Sequence, residues 1–186
     1  NSAGTISLGS TVNTAGAQSY TATTSTTFNG NINTDAAANG VAGNLTVSGP
    51  AILGAAISID TDGSTTDANV SFSSTINGAQ TLGVTAGTGI VTFTGAIGAT
   101  TAPTSLTVNS AGTISLSSVT TAGAQSYTAT TSTTFNGANI KTDGGATAGN
   151  LTVSGPAIVG VAVAIDTDST TDGNVSFSTT INGAQT

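Results

Sequence analysis

The sequence predicts an all-β chain wound as a parallel β-solenoid, and three observations carry that prediction. Thr, Ser, Ala, Gly and Asn make up most of the chain and the helix formers Leu, Glu, Lys, Arg and Gln are few, so the composition favours strands and turns. Short words of apolar, small polar and apolar residues recur, which places alternate side chains on opposite faces of a strand. These words return at steps of 21 to 25 residues over most of the chain, the length of one coil in a stacked β-helix.

Taken in order, the words begin at Tyr20, Leu45, Val70, Leu82, Leu106, Tyr127, Leu151 and Val175, at steps of 25, 25, 12, 24, 21, 24 and 24. In LTV at Leu45 and VSF at Val70, the outer pair faces the core and the hydroxyl between them faces out. Second words within a coil appear at Ile57 (ISI), Val91 (VTF) and Ile114 (ISL), with Gly, Asn, Asp and Ser turns between words. Phe28, Phe72, Phe93, Phe135 and Phe177 each close a word and read as steps of the core. The 12-residue step from Val70 to Leu82 breaks the rhythm, and a narrowed coil or a local hairpin would account for it.

The rival architecture is a tandem pair of immunoglobulin-like β-sandwiches. Asn-Gly pairs at Asn29, Asn77, Asn136 and Asn182 are hairpin signals, and the long repeat is close to the size of a sandwich. In a solenoid the same pairs supply positive-φ corners, and the near-constant 24-residue step favours that reading.

A longer repeat contains the short one. NSAGTISL at residue 1 returns at 109, TAGAQSYTATTSTTFNG at 14 returns at 121, GNLTVSGPAI at 43 returns at 149, and INGAQT at 76 returns at 181. The offset falls from 108 to 105 by single-residue deletions in polar stretches, where surface turns accept them. Residues 1–108 therefore form one unit and 109–186 a second, truncated one, in a single continuous solenoid. The chain has no Met, and neither a signal peptide nor an apolar run of bilayer length is visible, so it is expected to be a processed or excised piece with no membrane insertion.

Composition also excludes chemistry. Lys141 is the one basic side chain against eight Asp, and the formal net charge is −7, so nothing neutralises the phosphates of nucleic acid or of an anionic membrane. His, Cys, Glu and Arg are missing, which removes the usual acid–base and nucleophilic sets, and no enzyme activity is expected.

The words GAQTL, VTFTGAIG, TSLTV and TAGAQSY resemble the β-strand repeat regions of very large bacterial surface proteins, the autotransporter and filamentous-haemagglutinin-like adhesins. That resemblance covers nearly the whole chain and implies a β-helical stalk or fibre outside the cell, with no receptor-binding motif to carry over. The expected role is a structural segment of an extracellular fibre, sheath or adhesin stalk, its partner being itself, along a longer chain or end to end. The alternative is an adhesive or glycan-binding module.

Two residue sets are the candidate sites. Asn44, Asn69, Asn150 and Asn174 each precede a strand word at the coil period, so they are expected to form a ladder in which each side chain bonds the next coil. Each also opens an N-x-Ser/Thr glycan-acceptor sequence. Asp60, Asp62 and Asp67, with Asp166, Asp168 and Asp172, cluster in two loops as possible Ca²⁺ ligands, though the spacing departs from an EF-hand and a plain solvated turn is the simpler expectation. Asp60 and Asp62, two apart on a strand, would share a face as a glycan-hydrolase pair does, but nothing nearby would shift one carboxyl selectively. The TATTSTT runs at 21 and 128 are a weak version of the Thr faces of ice-binding proteins.

Overall fold

The structure, a computed structural model, describes residues 2–36 and 40–185. Asn1 and Thr186, the outermost letters of the repeat matches, lie outside the described residues. Every strand pairing among them is parallel, and together they wind a three-faced β-solenoid. Facing antiparallel sheets, as a tandem of immunoglobulin-like sandwiches requires, are therefore ruled out as the architecture.

Three inward columns define the faces. The first stacks Val12, Ile32, Ile59, Val84, Val108, Tyr127, Val153 and Phe177. The second stacks Gln18, Leu45, Val70, Val91, Ile114, Thr133, Ala157 and Ile181. The third stacks Ile6, Thr26, Ala51, Ile76, Ile97, Val119, Ile140 and Ile165, thinning to single bridges on either side of Ile97. Each column takes seven steps, and the steps range from 19 to 27 residues, wider than the sequence words alone indicate.

The 12-residue step is neither a narrowed coil nor a hairpin. Val70 stacks between Leu45 and Val91 on the second face, whereas Leu82 stacks between Ile57 and Leu106 on the first. Twelve residues simply carry the chain across the third face and on to the first. The words at Tyr20, Leu45 and Val70 thus lie on one face, and those from Leu82 to Val175 on another.

Burial follows the alternation. LTVS at Leu45–Ser48 buries Leu45 and Val47, and VSF at Val70–Phe72 buries Val70 and Phe72. In the core Phe28 meets Phe72 edge to face with ring centroids 6.3 Å apart, Phe72 stacks on Phe93 at 5.7 Å, and Phe135 meets Phe177 edge to face at 6.3 Å. QSYTATTSTTF is a single long strand in both copies, Gln18–Phe28 and Gln125–Phe135, and it turns a corner without leaving the extended state. Its first residues pair on one face and its last on the next.

Ser105–Leu116 turns its corner in the same way, and several other corners are made by glycine. Gly49 and Gly155 of the two SGP sequences have φ of 99° and 101°, and a side chain on either would run into the carbonyl of Ala22 or Ala129 below. Of the four Asn-Gly pairs at Asn29, Asn77, Asn136 and Asn182, Gly78 and Gly183 take the positive φ, while Gly30 and Gly137 instead lie hard against the backbone of the preceding coil; Gly40, which also follows an asparagine, has a φ of 67°.

Candidate functional site

The asparagines bond from coil to coil through the amide oxygen. Asn44 Oδ1 accepts the N–H of Asn69 at 2.9 Å, Asn69 Oδ1 accepts that of Ile90 at 2.8 Å, and Asn150 Oδ1 accepts that of Asn174 at 2.9 Å. The donor is each time the next coil's backbone rather than a second amide, so the side chain extends the parallel ladder by one bond just before the strand begins. Asn31 and Asn77 do the same for Ser58 and for Thr100 and Thr101. Those two were missed because neither stands before one of the recurring strand words.

The aspartates divide. Asp60 ends the strand Ile57–Asp60 and its Oδ1 accepts the N–H of Asp62 at 3.1 Å; Asp62 lies beyond the strand, with Thr61 buried between the two outer carboxylates. Asp62 turns instead to Asp67. Partial desolvation pushes the Asp62 carboxyl up, and its hydrogen bond with Asp67 and the charges of Asp67 and Asp60 add to the shift. Asp67 is held below the usual carboxylate range by Thr88, whose hydroxyl and N–H both donate to Oδ2 at 2.7 Å. The two carboxyls are thus shifted in opposite directions, Asp62 chiefly by desolvation and Asp67 by Thr88.

In the second copy Asp166 takes Lys141, the lone cation, at 2.7 Å, and Asp143 stands 3.6 Å from the same nitrogen. Lys141 and Asp166 are paired across adjacent strands, and the contact lowers the Asp166 carboxyl and raises the Lys141 ammonium. Asp168 and Asp172 hydrogen-bond within their own loop, through the N–H of Asp168 to Asp166 and of Ser169 to Asp172. Among the described residues no three carboxylates come together as a metal-holding group.

The two acidic loops and the loop after Lys141 share a pinched base. Thr61 donates its hydroxyl to Ala68 O at 2.8 Å and accepts the Ala68 N–H at 2.9 Å; Thr142 and Gly149, and Thr167 and Gly173, are joined in the same two ways. Residues between these anchors are excursions from a coil that closes without them.

One buried polar set also escaped the sequence reading. Gln125, fully buried, donates through Nε2 to Lys141 O at 2.7 Å and to Thr121 Oγ1 at 3.1 Å, and its Oε1 accepts the hydroxyl of buried Tyr127 at 2.8 Å. Gln18, Thr14, Tyr20 and Asn33 O repeat the arrangement. This is what TAGAQSY encodes: a glutamine that closes the corner and silences a tyrosine hydroxyl in the core. Burial pushes the Tyr127 hydroxyl far above its ordinary value.

The outer surface offers little relief. On the first face a shallow groove of about 470 Å³ runs past Asn31, Ser58, Gly83, Thr107 and Asn109. Its floor is lowered at Gly83, where an added side chain would meet only Ile57 O, at 3.8 Å. In the TATTSTT runs Thr26 and Thr133 point into the core, while Thr21 and Thr23, and Thr128 and Thr130, lie outside.

The fold defines a β-solenoid repeat protein. Compared with protein-family models, with curated proteins and with solved structures, the chain matches none.

Proposed function

We propose that this chain is a structural segment of an extracellular repetitive fibre, sheath or adhesin stalk, lengthened by stacking coils. The observation that carries this reading is the set of three inward columns, each climbing seven steps with parallel ladders along the axis. At roughly 4.8 Å per step such a stack converts residues into about 34 Å of rod. The resemblance of GAQTL, VTFTGAIG and TAGAQSY to adhesin repeats supports a place outside the cell.

Its partner is itself. Within the stack Val70 is covered by Val91 and Ile76 by Ile97, so the surface that each coil presents along the axis is matched to another coil. A parallel stack of this kind accepts further coils, either in the same chain or from another. Electron microscopy of the chain at rising concentration, and of a chain extended by further copies, tests the reading. Filaments with an axial spacing of about 4.8 Å are expected; a compact, monodisperse monomer in both cases overturns it.

The uncharged groove over Gly83 favours a second reading, an adhesive module that lays a glycan chain against Asn31, Ser58, Thr107 and Asn109. Capture on a glycan array, abolished by Gly83→Val, would select it over a purely mechanical rod.

A further inference from the structure

We propose that a run of these repeats is a rod with threefold screw character, in which each copy is set one face back from the copy before it and the same surface appears on all three sides in turn. The inference rests on the reading of the chain as part of a longer stack.

Equivalent residues of the two copies do not share a face. Gln18 lies on the second face and Gln125 on the first. Ala51 lies on the third and Ala157 on the second, and Ile59 on the first and Ile165 on the third. Fourteen strand positions separate Gln18 from Gln125, which is four turns and two-thirds. Fifteen would have made five whole turns and kept every motif on one side. At roughly 4.8 Å per coil, each copy climbs about 22 Å while turning by about 120°, and three copies restore the first azimuth after about 67 Å.

The interior permits this because its three faces are interchangeable. The Gln–Tyr–Thr set begins on the second face in one copy and on the first in the next, with the same partners each time. The SGP corner likewise moves from the junction of the second and third faces to that of the first and second with its glycine φ changed by only 2°. For a partner the consequence is geometric. A neighbouring rod or a receptor that reads one motif finds it from any of three directions, and a straight ligand lying along one face meets that motif once in about 67 Å.

Because the chain has no cysteine, spin labels can be placed without background. Thr46→Cys with Thr152→Cys labels equivalent positions of the two copies, and Thr46→Cys with Ile158→Cys labels one column of the second face. The equivalent pair is expected at roughly 30 Å and the column pair at roughly 24 Å, although the latter is farther apart in the chain. An equivalent pair no farther apart than the column pair overturns the phase. In filaments of an extended chain, helical reconstruction should give about 120° of twist for each 22 Å of rise. Filaments without that twist overturn the screw and leave the stacked fibre standing, whereas expected label distances without filaments support the phase and count against the fibre alone.

Discussion

Gln125 occupies a position where an amide has no substitute. It joins a carbonyl, a threonine hydroxyl and the Tyr127 hydroxyl in a fully buried corner, so Gln125→Ala strands the tyrosine and should cost about 2–4 kcal/mol in urea unfolding, against about 1–2 for Tyr127→Phe. The double variant should cost less than the two losses together, because one bond is shared. Asp62 and Asp67 give opposite pH signatures. Asp62 titrates above its unfolded value, so its ionisation weighs on the native state as pH rises through the raised value; Asp62→Asn should raise Tm by about 1–2 °C at pH 7 and leave it unchanged near pH 3. Asp67 titrates below its unfolded value, so its contribution is present above the ordinary carboxylate range and fades as pH falls through the depressed value; Asp67→Asn should lower Tm at neutral pH only. At this scale the sequence was partly legible. Asn44, Asn69, Asn150 and Asn174 were visible from their spacing, but the bond type was not, since spacing says which residues stack and not which atom accepts. The Asp62–Asp67 contact was hidden because it depends on the loop path after the strand stops at Asp60.

Among the elements, the strands were legible and their faces were not. Alternation identifies LTV, VSF and YTA as strands with an inner and an outer side, yet nothing in three letters says which of three equivalent walls they join. The 12-residue step was the one visible sign, and it reads as an anomaly only if every word is assumed to share a wall. Corners were legible as glycine, though not which glycines are obligatory. Gly49 has a left-handed backbone directly over the Ala22 carbonyl, so Gly49→Ala should cost about 2–3 kcal/mol by thermal or denaturant unfolding. Gly83, extended and with open space beside it, should accept alanine at no cost or with a gain of about 0.5 kcal/mol. A similar loss at both sites would mean that Gly83 is constrained by something other than its backbone and surroundings.

For the whole molecule, the coil period was readable because stacking aligns letters, and the column steps of 19 to 27 residues show how loosely it need be kept. The slack is taken up in excursions clipped at Thr61, Thr142 and Thr167, so length can change there without disturbing the columns. The relation between the long repeat and the winding could not be read from the letters, since it depends on counting walls rather than residues.

The direction of the ladders has a mechanical consequence. Every backbone bond between neighbouring strands lies along the axis, so a pull on the two termini loads those bonds in tension one turn at a time rather than shearing many at once. Stretched in an optical trap, the molecule should peel in a low-force sawtooth, each tooth releasing about 80 Å of slack chain for a turn of some 23 residues. A neighbour that gripped the rod from the side would bridge several turns and convert that peeling into shear, toughening the strand without altering a single contact inside it.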